Sequence, residues 1–160
     1  MQINGITVSQ PQPEIVVLPF NGTKLVIKAQ YIPADELKKL DELLPEPKPP
    51  MISKVINDKP QPEVPDFKDK KYQEKIEAYH LTRMAWIYIE SLRATESLEW
   101  DTVDMEDPST WANWSTDLEN TGLPNSYIIR ISQLVADAQG WNPERIEEAT
   151  KNFLAGAPVE

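Results

Sequence analysis

Six carboxylates fall within residues 96–107, Glu96-Ser-Leu-Glu-Trp-Asp-Thr-Val-Asp-Met-Glu-Asp107, and no basic residue accompanies them. Oxygen ligands at this density could hold calcium, or a pair of them could share the acid and nucleophile roles of glycoside hydrolysis. The spacing of Asp101, Asp104, Glu106 and Asp107 does not match an EF-hand loop, which requires alternating oxygen ligands, a glycine at the sixth position and a glutamate at the twelfth. Glycoside hydrolysis requires a carboxylate separation that exists only in three dimensions. The other distinctive group is five tryptophans, Trp86, Trp100, Trp111, Trp114 and Trp141, a residue type that fills cores or anchors interfaces. His80 is the only histidine, and a lone imidazole on a core helix reads as a core or boundary residue before a ligand or base. The chain has no cysteine, so thiolate metal sites, disulfides and thiol catalysis are excluded. It has no Walker A loop, dinucleotide-binding glycine pattern, nucleophile elbow or zinc-ligand spacing, and only five glycines with which to cradle a phosphate. These residues predict a non-enzymatic protein, with no cofactor and no metal, that works by binding other proteins.

The charge is divided along the chain. Residues 1–93 carry 13 Lys plus Arg and 13 Asp plus Glu, whereas residues 94–160 carry 3 and 13, which accounts for the whole net charge of −10. A field of this sign repels a phosphate backbone, so direct nucleic-acid binding is not expected. The acidic part serves either as a solvated helical surface or as a docking face for a basic partner. No apolar run approaches the roughly 18 residues that span a bilayer, and Met1-Gln-Ile-Asn-Gly5 lacks the pattern of a signal peptide. The expectation is an intracellular protein without a membrane partner.

Elements that would position these residues follow from punctuation and periodicity. Glu14-Ile-Val-Val-Leu-Pro-Phe20 and Thr23-Lys-Leu-Val-Ile-Lys-Ala29 flank Asn21-Gly22, the strongest short hairpin signal. Strands are predicted over 14–20 and 23–31, with Leu25 and Ile27 on one face and Lys24, Val26 and Lys28 on the other. Pro19 marks the first strand as having a free edge. An isolated hairpin is marginal in water and must find a supporting surface.

Eight of the fifteen prolines lie between Pro33 and Pro65. A short helix over 34–44, with Leu37, Leu40 and Leu44 in one stripe, sits ahead of Pro45-Glu-Pro-Lys-Pro-Pro50 and Pro60-Gln-Pro-Glu-Val-Pro65. These two proline segments are predicted to be extended and partly polyproline II, as a semi-rigid tether or a ligand for another domain. Residues 66–94 then read as one long core helix, with Tyr72, Ile76, Tyr79 and Trp86 at helical spacing.

Asp107-Pro108 places an N-cap and a proline at the start of a helix that carries Trp111, Trp114 and Leu118 and stops at Gly122; Asn142-Pro143 repeats the device for a last helix ending near Gly156. Between them a helix over 125–139 aligns Ile128, Ile131, Val135 and Ala138. In the last helix Ile146, Ala149, Phe153 and Leu154 share a face. Helices this short must pack together to persist. The fold class is therefore α+β and mainly α: residues 1–32 a β-hairpin, 33–65 a proline-rich connector with a short helix, and 66–160 a helical domain built as a bundle of about four helices.

A family resemblance runs through these residues. Glu46-Pro-Lys-Pro-Pro50, Arg83-Met-Ala-Trp86 with Glu90-Ser-Leu92, Leu98-Glu-Trp-Asp-Thr-Val-Asp104, Asp107-Pro-Ser-Thr-Trp111, Gly122-Leu123, and Ile146-Glu-Glu-Ala149 with Phe153-Leu154 occur in this order. Over residues 45–155 the set resembles the tail-assembly-chaperone-type proteins of tailed bacteriophages. No single piece is specific, and the ordered spacing carries the likeness. The resemblance implies a protein of the infected host's cytoplasm that binds the tape-measure protein and recruits tail-tube subunits, then leaves before the tail is finished. Such a partner exposes long apolar helical surfaces that aggregate unless covered.

On this reading the partner-binding residues are Trp100, Asp101, Asp104, Glu106, Asp107, Trp111, Trp114 and Trp141. Trp100 and Trp141, beside connectors, are expected to be more available than Trp86, and core packing is the alternative role for each tryptophan. Two rivals keep the protein-binding character: a permanent virion component, such as a minor tail or head–tail joining protein, and a host-directed inhibitor whose carboxylates mimic nucleic acid.

Overall fold

The computed structural model describes residues 1–156. Residues 157–160, the end of the predicted helical domain, lie outside the described residues. Strands and helices combine in an α+β arrangement, and each strand pair among the described residues is antiparallel and two-stranded.

The main hairpin joins β3 (Glu14–Phe20) to β4 (Thr23–Ala29) through Asn21-Gly22. Asn21 and Gly22 have φ of 49° and 76°, the left-handed pair that a type I′ turn demands. The register Val16↔Ile27 and Leu18↔Leu25 turns these four side chains towards the core with Ala29, and leaves Ile15, Val17 and Val26 exposed on the other face. The predicted faces and strand starts are observed, and β4 ends two residues earlier than expected. A second Asn-Gly pair, Asn4-Gly5, joins β1 (Gln2–Ile3) to β2 (Ile6–Thr7), a small exposed pair that the sequence reading passed over.

The hairpin finds its support within its own chain. Leu18 and Ala29 join a core with Leu92 of α2 (Lys70–Leu92), Leu118 of α3 (Trp114–Asn120), and Ile131, Leu134, Val135 and Ala138 of α4 (Asn125–Ala138). Burying one leucine of this kind contributes about 2 kcal/mol, enough to matter to a marginal two-stranded ribbon. A second core gathers Ile32, Ala85, Trp86, Ile87, Ile89 and Trp111 around Leu40 of α1 (Ala34–Leu43). Leu37 and Leu44 pack on it, so the predicted leucine stripe is realised.

Polar groups stitch the end of β4 to the helices. The Lys28 N–H donates to Thr95 Oγ1 at 2.9 Å, and the Thr95 hydroxyl returns a bond to the Lys28 carbonyl at 2.9 Å. One step on, the Gln30 N–H donates to the Ser91 carbonyl at 2.9 Å, while Ser91 Oγ and Gln139 Nε2 both donate to the Gln30 carbonyl at 2.8 Å. Buried polar groups are tolerated when bonded in this way.

Two expectations require correction. The long helix begins at Lys70, where the Asp69 side chain accepts the Tyr72 N–H at 2.8 Å, and its buried residues are confined to Ala85–Leu92. At 1.5 Å per residue the helix is about 35 Å long, more than these cores can cover, so the part before Ala85 lies outside them, with Leu81 and Met84 exposed. His80 is exposed as well. The connector is also not simply extended: β5 (Met51–Ile52) pairs with β8 (Val64–Pro65), and β6 (Val55–Ile56) with β7 (Lys59–Pro60). Asn57 and Asp58, at φ 52° and 58°, form the turn of this finger, and Pro60 and Pro65 sit at strand ends, where a missing donor is harmless.

Candidate protein-binding surfaces

The acidic segment is held from below by one carboxylate. Asp117, on α3 and only 4% exposed, accepts the Thr102 N–H at 2.9 Å and the Thr102 hydroxyl at 2.7 Å. Burial pushes its pKa up, but these bonds and those from the Asp101 and Val103 N–H groups outweigh it and hold the pKa below the usual carboxylate value. Asp104 Oδ1 accepts the Glu106 N–H at 2.9 Å. Asp107 Oδ1 accepts both the hydroxyl and the N–H of Ser109, at 2.7 and 3.0 Å, which depresses its pKa and caps the 3-10 helix Pro108–Asn113 as the sequence predicts. All four carboxylates are exposed, but the Asp104 and Asp107 side chains accept bonds that shape the loop, whereas the side chains of Asp101 and Glu106 accept none of them.

The predicted tryptophan anchors divide in the same way. Trp111 is fully buried, and its Nε1–H donates to the Asp104 carbonyl at 3.0 Å; a partner cannot touch it, so its assignment as a binding residue is corrected to a core role. Trp114 is half-buried and stacks on Tyr88 with ring centroids 4.5 Å apart. Trp100, expected to be accessible, is half-buried against both cores. Trp141 is 47% exposed and is the predicted anchor that offers the most surface.

Beside Trp141 stands α5 (Pro143–Leu154), capped by Asn142, whose Oδ1 accepts the Glu144 N–H at 3.1 Å. Its cap is as predicted, but its packing is not. None of its residues is buried, and Ile146, Phe153 and Leu154 are 61%, 70% and 78% exposed. Among the described residues the helix is tethered at its start, by Arg145 to Glu14 at 2.9 Å and by Asn142 Nδ2 to Asp137 at 2.8 Å. Gly140, at φ 71°, turns the chain so that the apolar stripe Ile146, Ala149 and Phe153 faces outwards along a shallow depression. The expected packing of this helix into the bundle is not observed.

A deeper groove, about 680 Å³ in volume, lies along β4. Its floor is Leu25, Ile27, Leu98, Leu118, Leu123 and Ile131, and its far wall is Thr95–Leu98. Because both main-chain groups of Lys28 bond to Thr95, the pair Ile15↔Lys28 is a non-hydrogen-bonded pair of the ladder. Alternation makes Val17↔Val26 and Pro19↔Lys24 non-bonded pairs too. The N–H and C=O groups of Lys24 and Val26 therefore point out of the hairpin, along the edge that the groove borders. No family model, curated protein or solved structure matches this chain.

These surfaces suit polypeptide partners: an uncovered amphipathic helix, an exposed indole, and an apolar groove beside an open strand edge. Among the described residues no three metal-ligating side chains converge, and no helix is long and apolar enough to cross a membrane. The roles of Asp117, Ser91, Thr95 and Gln139 are not legible in the sequence because isolated polar residues in helices, or just past their ends, carry no periodic signal. The groove is not legible there because strand edge and floor come from four separate segments.

Proposed function

We propose that the protein is a non-enzymatic tail-assembly-chaperone-type protein of a tailed bacteriophage, which binds the tape-measure protein and tail-tube subunits in the host cytoplasm and is absent from the finished particle. The observation that carries this reading is α5, a capped amphipathic helix whose apolar stripe nothing in the described chain covers. The resemblance of the ordered motifs over residues 45–155 supports the choice of family. A helix displaying Ile146, Ala149 and Phe153 suits a partner that is itself a long amphipathic helix, because such faces bury each other at i, i+3 and i+7. The four-helix bundle is then completed in the complex, when the partner closes over α5. Asp101 and Glu106 steer a basic partner, and Trp141 anchors it beside the helix.

The open strand edge of the hairpin supports a second reading, a permanent virion component joined by strand addition. Affinity capture from infected cells, compared with the protein content of purified particles, separates the two. Capture of tape-measure and tube proteins with absence from particles supports the chaperone; stoichiometric presence in particles supports the virion component and overturns it.

A further inference from the structure

We propose that the groove along β4 is a strand-addition site that takes an extended segment of a partner protein, antiparallel to β4, with apolar residues at alternate positions and an acidic side chain opposite Lys24. This site is separate from the α5 surface, so it stands or falls independently of the reading above.

Three features define the occupant. The outward N–H and C=O groups of Lys24 and Val26 offer four main-chain bonds, which an extended backbone satisfies and a helix does not. Alternation of side chains along such a strand places every second residue over the floor formed by Leu25, Ile27, Leu98 and Leu123, which selects apolar side chains at those positions. The residues between them lie on the outer face, opposite Lys24 and Val26. There Lys24 makes no ion pair among the described residues, whereas Lys28 is neutralised by Glu96 at 2.6 Å, so the unmatched charge at this rim is positive. A carboxylate opposite Lys24 completes a cross-strand pair.

The bonds between Lys28 and Thr95 close the far end and so fix where the added strand stops. The volume, about 680 Å³, lies within the roughly 300–1,000 Å³ typical of ligand sites. The edge of β3 shows the contrast: there the Pro19 carbonyl accepts the Tyr127 hydroxyl at 2.8 Å, and neither Ile15 nor Val17 lines this groove.

The test uses the full chain, isotope-labelled for amide NMR, and the synthetic probe acetyl-Ser-Leu-Thr-Leu-Glu-Thr-amide. The expected result is saturable shifts at Lys24–Lys28, Thr95–Leu98 and Leu123. Val26→Pro removes one of the two edge donors and should weaken the probe at least about tenfold, while Val17→Pro, the same change on the opposite edge, should leave its affinity unchanged. Replacing the probe's Glu with Lys should weaken it about threefold at low salt, and Lys24→Glu in the protein should reverse that preference. Pro19 occupies the equivalent edge position on β3, so the hairpin tolerates proline there. Lys24→Glu tests the site even if Val26→Pro unfolds it. The proposal is overturned if shifts cluster on α5 or β3, if none appear at millimolar probe, if Val26→Pro binds as the parent does, or if Lys24–Val26 is already paired with a second copy in the free protein.

Discussion

Helices α4 and α5 follow each other in the chain, have 14 and 12 residues, carry one apolar stripe each and stop before a glycine, yet their stripes meet different fates. In α4 the stripe buries Ile131, Leu134, Val135 and Ala138 against the hairpin and the end of α2. In α5 it buries nothing. Amphipathic spacing says that a helix has a face to cover; it does not say which chain supplies the cover. Each large apolar side chain left exposed on α5 forgoes about 1.5–3 kcal/mol of burial, stabilisation that a partner could supply. The same division separates Trp111, sealed in the core, from Trp141, left at the surface.

Truncating one side chain from each group should separate the sealed from the uncovered residues by the widest margin. Trp111→Ala should cost about 3–5 kcal/mol by denaturant unfolding, through its cavity and the lost bond to the Asp104 carbonyl. Trp141→Ala should stay within about 0.5 kcal/mol of the parent. Equal losses would mean that Trp141 is core after all.

Next in size is Asp117→Ala, which strands the donors of Thr102 and should cost roughly 2–3 kcal/mol. It also carries a pH signature. The folded pKa lies below the unfolded value of about 3.9, so the stabilisation is complete above that value and is lost as pH falls through the folded pKa. Urea midpoints should therefore fall in acid more steeply for the parent than for the variant. Parallel acid limbs would show that Asp117 contributes nothing through its charge.

On the uncovered side, Phe153→Asp should leave unfolding within about 0.5 kcal/mol yet weaken capture of the tape-measure protein at least about tenfold, the loss expected of an interface anchor. Retained capture would relocate the binding face away from α5. The smallest effect should come from the loop charges. Replacing Asp101 and Glu106 by Asn and Gln should slow association a few-fold at low salt and leave dissociation and unfolding unchanged. Asp107→Ala should instead lower stability, by less than Asp117→Ala, because it removes the cap on Ser109. Loss of stability in the double variant would show that Asp101 and Glu106 are structural as well.

Local chemistry determined much of this protein directly. Asn21-Gly22 set a type I′ turn and thereby the register and faces of β3 and β4; Asp107-Pro108 and Asn142-Pro143 set two helix starts; Leu37, Leu40 and Leu44 marked a buried stripe. Each signal acts within a few residues, where sterics and short hydrogen bonds decide the outcome. Asn57-Asp58 was legible by the same rule, and the surrounding prolines hid it.

Tertiary structure decided the rest. Burial of Trp111 and exposure of Trp141 follow from what lies opposite each, not from their neighbours in sequence. The roles of Asp117, Ser91, Thr95 and Gln139 depend on partners between 15 and 109 residues away. The groove along β4 exists because Thr95 closes one end of a strand edge and leaves Lys24 and Val26 open. Burial and edge pairing are relations between distant segments, and no spacing rule within one segment can specify them.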